Sequence, residues 1–395
     1  MRTISRIVMA LAAVSLLTSC LAQDANAPTL EQLGEMYLSD FVGSLTLGNA
    51  DQGGYGSALS WGMSYRMATL NLLYEATGDT QYLDKQLELI RQIFTKRDCD
   101  LAAQYDDRDK YQDFQRARVM KAWGTGAYSE GQYTCWAVHT GMTVYPMAEF
   151  VRIVRAGGDA TATYAQQVEQ YVPLMEEAVK EYDAEWRDGP EEGQGYYLFP
   201  ESDSQLSGQI LPLNQMNAPG RALFALYDIT GKPEYKEKAE KLAAFMKSKL
   251  THIEDGDHYA WAYWAKPPDA PPSSGEDVSH AAINAHFMYV AWEHGAVFDG
   301  TDMQRLARTF TVGLYLGDGQ FSANVGRRKS NDNYTPQLPR WTFLARFDPA
   351  VEQQILEYVG AHLEGDGALS PTTGSMTYGY LLRARHLRQQ DQAPD

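Results

Sequence analysis

The sequence predicts an all-α protein, an (α/α) toroid or barrel of six to seven helical hairpins, on three observations. Strand signals are few, and apolar residues recur at helical spacing through most of the chain. A hairpin unit is also repeated. Leu72-Leu73-Tyr74-Glu75-Ala76-Thr77-Gly78-Asp79-Thr80-Gln81-Tyr82 returns as Ala225-Leu226-Tyr227-Asp228-Ile229-Thr230-Gly231-Lys232-Pro233-Glu234-Tyr235, and a weaker copy runs from Phe150 through Gly157-Gly158-Asp159 to Tyr164. Each copy is an apolar helix, a glycine that ends it in the left-handed conformation, a short polar turn and a second amphipathic helix. The copies lie roughly 75 to 80 residues apart, longer than the usual solenoid repeat, with long decorated loops between them.

Taken in order, residues 1–20 read as a bacterial lipoprotein signal. Arg2 and Arg6 precede a short apolar run, and Leu17-Thr18-Ser19-Cys20 supplies a small-residue cleavage site whose cysteine becomes the lipidated first residue. The run is shorter than the ~20 apolar residues of a membrane span. Residues 21–28 are a short tether, and 29–390 form one barrel domain, since no Pro/Ser-rich linker divides the helical pattern. Leu30, Leu33, Met36, Tyr37 and Phe41 place a first helix over 29–46, and glycines break the pattern over 48–56. Further helices are expected over 81–95, 164–186, 235–250 and 302–315. Glycine- and aromatic-rich loops over 123–131, 193–200 and 259–275 are expected to gather at one mouth.

The 44% apolar content suits a large core, and a net charge of −17 excludes nucleic acid as a partner, because phosphate binding needs a basic field. Lipidation of Cys20 leaves Cys99 and Cys135 as an even pair that a disulfide would join in an oxidising compartment. The chain has no Cys-x-x-Cys, no histidines four apart, no Gly-x-Ser-x-Gly and no phosphate-binding Gly-Lys-Ser/Thr loop.

Candidate chemistry gathers between Gly275 and Tyr334. In Glu276-Asp277-Val278-Ser279-His280, Asp277 is placed to cap a helix, with His280 in its first turn and Asn284 one turn on. Positive charge at the helix start disfavours an imidazolium, so His280 is expected neutral. Arg327, Arg328 and Lys329 form the densest basic cluster, with Tyr334 just after it and Arg340 beyond. Cations beside a tyrosine favour the phenolate that a tyrosine base requires. Asn214 and Asn217 supply amides that suit a carboxylate, and also suit a helix cap. Trp123, Tyr128, Tyr133, Trp136 and His139 make a polar aromatic group able to stack on sugars, although the same spacing suits a core.

On these residues the chain resembles polysaccharide lyase family 38, the glucuronan and alginate lyases. The likeness rests on the 276–280 motif, on Arg328 and Tyr334 after it, on the 214–217 segment and on the 123–141 region. It implies an (α/α)7 barrel in which Asn214 or Asn217 neutralises the substrate carboxylate, helped by His280 and Arg328, and Tyr334 is the catalytic tyrosine. Arg327, Lys329, Arg340, Trp123, Tyr128, Trp136, His139 and Asn284 would then bind substrate. The implied reaction is β-elimination on a 1,4-linked polyuronate. Donors around the carboxylate stabilise the dianion formed when the C5 proton leaves, an effect worth several kcal/mol. In glucuronate and mannuronate one tyrosine can both take the C5 proton and return it to the C4 oxygen, while in guluronate His280 would serve as base and Tyr334 as acid. The scheme calls for no metal or cofactor. It predicts an anionic polysaccharide partner and a lipid-anchored envelope protein. A uronyl C5-epimerase, an inverting (α/α) glycosidase and a non-catalytic glycan-binding lipoprotein are the alternatives.

Overall fold

A computed structural model describes residues 27–202, 206–265, 275–326, 334–365 and 367–391. The expected signal with Cys20, and the loop bearing Arg327, Arg328 and Lys329, lie outside the described residues.

Six helices stand side by side in a closed ring: Ser64–Thr77, Ala137–Ala156, Leu213–Thr230, Val278–Glu293, the 3₁₀ helix Thr335–Arg346 and Pro371–Asp391, which returns to the first. An outer layer backs them. Gln81–Ile93 packs on the first, Ala162–Glu169 and Val172–Lys180 on the second, and Pro233–Lys247 on the third. Gly300–Arg308, Ala350–Ala361 and the N-terminal Leu30–Leu38 cover the remaining three. Among the described residues the toroid therefore closes with six hairpins, the lower of the two expected counts, and not with the seven that the family likeness implies.

The repeat works as its sequence suggests. Gly78 (φ 70°) and Gly231 (φ 67°) end their helices in the left-handed conformation, which a side chain would strain. Where the second and third inner helices cross, a Cβ on Gly141 would stand 2.2 Å from the Pro219 nitrogen, so only glycine allows that approach. The expected 164–186 helix is split instead. Pro173 has no N–H to offer Glu169, so Ala162–Glu169 stops and Val172–Lys180 starts afresh. Trp186 then opens a strand, and the 302–315 segment ends as a π-helix over Thr309–Leu314.

Four two-stranded hairpins, at Gln112–Asp113/Arg118–Val119, Trp186–Asp188/Gly195–Tyr197, Thr251–Ile253/His258–Ala260 and Tyr315–Gly317/Gln320–Phe321, lie on the paths that lead into inner helices. The inner helices thus all begin at one mouth of the ring, and the loops before them crowd around it. No described helix is long and apolar enough to cross a membrane.

The expected Cys99–Cys135 disulfide is absent, and both thiols are free. Cys135 is fully buried with Sγ 2.9 Å from Asp98 Oδ2. Asp98 and Cys99 are successive residues of one helix and point about 100° apart, so a sulfur turned to the first does not face the second.

Candidate functional site

A cleft of about 540 Å³ opens at the mouth where the inner helices start. Five inner elements contribute residues at or near their starts. Trp61 comes from the π-helical Leu59–Met63 segment, Trp136 and His139 from the second helix, Asn214 and Gln215 from the third, Ser279 and His280 from the fourth, and Gln337 and Arg340 from the 3₁₀ helix. In that helix Gln337 and Arg340 are three residues apart and so eclipse, both facing the cleft. Loops add Tyr128, Phe199, Tyr263, Trp264 and Tyr334. These come from the aromatic loops expected at the mouth and from the segment following the basic run. Tyr128 is 69% exposed and held at φ 70°, a left-handed backbone that a tyrosine adopts only where its surroundings impose it.

The chain carries 51 acidic residues, yet among the described residues no Asp or Glu lines this cleft. The helix starts add partial positive charge from N–H groups without intrahelical partners. A strongly acidic protein thus presents a cleft without acid among its described residues, which is how an anion can be admitted.

Asp277 caps the fourth helix, its Oδ1 accepting from the backbone N–H of Ser279 (3.0 Å) and His280 (3.1 Å). Its Oδ2 stands 2.5 Å from His280 Nδ1. Burial works to raise the Asp277 pKa, but the hydrogen bonds from His280 and Ser279 hold it below the ordinary value. The carboxylate thereby assigns the Nδ1 hydrogen to itself and leaves Nε2 as the nitrogen that can exchange a proton. The His280 ring lies 6.0 Å from Tyr334, 5.6 Å from Tyr263 and 6.2 Å from Trp61, centroid to centroid. Burial pushes the Tyr263 phenol up to about 12.

Among the described residues Arg340 is the arginine of the cleft. Its guanidinium lies 3.6 Å over the Tyr65 ring, and Nη1 donates to Tyr65 Oη (2.8 Å) and Ser279 Oγ (3.0 Å). Among the described residues no carboxylate forms an ion pair with it, and burial lowers its pKa. Asn214 lines the cleft with its buried Oδ1 unbonded. His139 also lines it, and burial drives its pKa down to about 3, so the ring is neutral. Neither of its buried nitrogens has a hydrogen-bond partner, and its ring lies 5.5 Å from Trp61.

Four sequence candidates stand elsewhere, and one of them, Tyr133, donates its hydroxyl to Asp98 Oδ1 (2.7 Å) outside the cleft lining. Trp123 is fully buried and donates Nε1–H to the Ile93 carbonyl (3.1 Å), so it is a core residue and not a sugar platform. Asn217 and Asn284 lie buried away from the cleft lining, Asn217 Nδ2 donating to Asn284 Oδ1 at 2.7 Å. Asn284 Nδ2 and Trp261 Nε1 both donate to Glu276 Oε2, each at 2.6 Å. Burial raises the Glu276 pKa well above the ordinary value, against the hydrogen bonds from Trp261 and Asn284 that work to lower it. Of the two candidate asparagines, only Asn214 lines the cleft. Arg327, Arg328 and Lys329 fall outside the described residues.

Sequence reading missed Trp61, Tyr65, Tyr263, Trp264 and Gln337. Tyr263 and Trp264 lie in a loop flagged for its aromatics, whereas Trp61 and Tyr65 sit in a stretch that reads only as the start of a helix. Among the described residues no group of three or more His, Cys, Asp or Glu is placed to hold a metal ion.

No family model matches the chain, and no curated protein matches its sequence. Solved structures do resemble it. A sugar epimerase from a ruminal bacterium superposes with a TM-score of 0.55 at 11% identity, covering 90% of this chain and 98% of that one. Cellobiose 2-epimerase from Bacillus thermoamylovorans (TM-score 0.49, 12% identity, 90% and 98% covered) is less similar. A polysaccharide lyase (TM-score 0.49, 12% identity, 93% and 100% covered) stands with it. The likeness to the ruminal epimerase is one of fold, that of a helical toroid.

Proposed function

We propose that the protein is a lyase that cleaves a 1,4-linked polyuronate, glucuronan or a mannuronate-containing alginate, by β-elimination. The observation that carries this reading is a cleft that, among the described residues, has no acid in its lining and in which Arg340, without a carboxylate partner among them, stands with His280 and Tyr334. A two-carboxylate hydrolase needs a pair of acids flanking the bond to be broken. Elimination next to a uronate needs cationic and amide donors and a proton carrier, which is what lines this cleft.

In the proposed reaction Arg340 and the Asn214 amide bind the uronate carboxylate and stabilise the charge that builds on it as C5–H breaks. Tyr334 takes the C5 proton. The electron pair forms the C4–C5 double bond, the C4–O bond breaks, and Tyr334 returns the proton to the leaving oxygen. His280, fixed by Asp277, supports the carboxylate by donating Nε2–H when its ring is protonated, and on guluronate the neutral ring serves as the base through the Nε2 lone pair. Trp61, Tyr128 and Trp264 offer faces for sugar rings. Arg328 remains a proposed participant through the family likeness. Lipid attachment at Cys20 would hold the enzyme at the bacterial envelope.

A second reading, a uronyl C5-epimerase, shares the first step and returns the proton to the other face of the sugar. It is favoured by two histidines in one cleft, His139 and His280, whose rings flank Trp61 at 5.5 and 6.2 Å. Incubation with glucuronan, polymannuronate, polyguluronate and pectate, followed by ultraviolet absorbance, separates the two. A lyase gives a rising signal from the C4–C5 double bond. Tyr334→Phe should reduce that rate by about 10²- to 10⁴-fold with binding nearly unchanged. Solvent deuterium entering C5 without unsaturation marks the epimerase, and full activity in Tyr334→Phe would refute the tyrosine mechanism.

A further inference from the structure

A second chamber of about 420 Å³ adjoins the cleft, and Trp61, Gln337 and Arg340 line both. Its size lies in the range of about 300–1,000 Å³ typical of ligand pockets. The start of the sixth inner helix, with Thr372 and Thr373, forms one side, and Arg66 of the first inner helix another. Here too, among the described residues, no Asp or Glu lines the wall. Arg66 has no carboxylate partner among them, and its one side-chain bond is a long one, Nε to Thr372 Oγ1 at 3.4 Å.

Elsewhere the arginines of this acidic chain are mostly closed by acids. Arg97 meets Asp100 and Glu177, Arg152 meets Glu75 and Glu149, and Arg388 meets Glu352. Arg66 and Arg340 break that habit in adjoining chambers. They are joined through one short stretch, since Tyr65, whose ring carries the Arg340 guanidinium, is the neighbour of Arg66 in sequence. A polyuronate repeats its carboxylate on every sugar. A neutral glycan would leave both cations unanswered, and at Arg340 that carries the cost of a desolvated unpaired charge.

We infer that the second chamber is a further subsite of the same cleft, in which Arg66 binds the carboxylate of a second uronate while Arg340 binds that of the first. The inference rests on the polyuronate reading above. It makes Arg66 a determinant of chain-length preference: the protein favours acidic oligosaccharides long enough to cross the wall shared by the two chambers.

The test is calorimetric titration of the full chain, carrying Tyr334→Phe to prevent turnover, with the monomer and the tetramer of glucuronate. Adding Arg66→Gln should weaken tetramer binding about tenfold or more, as loss of a charge-assisted bond does, and leave monomer binding unchanged. Arg66→Lys should restore most of the loss. Thr372→Val, which removes only the hydroxyl that steadies Arg66, should give a smaller loss with the same length dependence and serves if Arg66→Gln does not fold. Equal losses for both lengths, or none for either, would overturn the subsite. Length-dependent loss in a protein that turns over no uronate would uphold the subsite and sink the lyase reading. Turnover without that length dependence does the reverse.

Discussion

Arg116 and Arg340 both sit in the walls around the mouth, and they differ in what faces them. Arg116 donates Nε to Glu185 (2.8 Å) and Nη1 to Asp113 (3.0 Å) and to the Cys135 carbonyl (3.1 Å), with its guanidinium over the Tyr182 ring. Burial works against its charge, but the two carboxylates outweigh burial and raise its pKa. Arg340 is held by two hydroxyls and a ring face, and burial prevails. A buried charge closed by its own protein is structural. One held in position but left electrostatically open points to a ligand.

Substitution can break this contrast, and the largest effect is expected at the closed cluster. Arg116→Met strands Asp113 and Glu185 and should destabilise the fold by ~3–5 kcal/mol in chemical denaturation, with little change in kcat for whatever remains folded. Arg340→Met should do the opposite. Stability should stay within ~1 kcal/mol of wild type or rise, while kcat/KM falls by ~10²–10³. Should Arg340→Met unfold the protein as Arg116→Met does, the distinction between the two arginines fails.

The closed cluster also carries a pH signature. Asp98 is buried; desolvation raises its carboxyl to about 7, although Cys135, Tyr133 and the Gly124 N–H all donate to it. A carboxyl whose folded pKa exceeds its ordinary 3.8 contributes stability that is complete below 3.8 and is lost as pH rises through about 7. Wild type should therefore lose thermal midpoint between pH 4 and 8, and Asp98→Asn, which mimics the protonated form, should flatten that slope. An unchanged slope would remove Asp98 as its source. The smallest effect is expected from reductant. With Cys99 and Cys135 free, dithiothreitol should leave the midpoint unchanged, and a drop would mean that a disulfide forms after all.

What the sequence reveals here is local. The Gly78 and Gly231 stops, the Asp277 cap and the clustering of aromatic loops at one mouth follow from chain-neighbour chemistry, and the structure displays each. The split at Pro173 is as local, but the apolar period continues across it and hides it. Legibility ends where a property depends on distant residues. Trp123 reads like Trp136, yet only the fold turns one into the core and the other to the cleft. Asn284 is one helical turn from His280, and Glu276 and Asn217 draw it behind the wall. Above all, the openness of Arg340 and Arg66 consists in acids being elsewhere, and in a chain with 51 of them no stretch of sequence displays that.

The central claim, that Arg340 awaits a substrate carboxylate, is tested most directly by a matched pair of ligands. Calorimetry of the Tyr334→Phe chain would compare a glucuronate oligosaccharide with the same oligosaccharide after reduction of its carboxyl groups to alcohols. The acidic form should bind at least about tenfold more tightly, with an advantage that shrinks as salt is raised and falls in Arg340→Met to what Arg66 alone supplies. Equal binding of the two forms would contradict the claim and leave the cleft a site for neutral sugars.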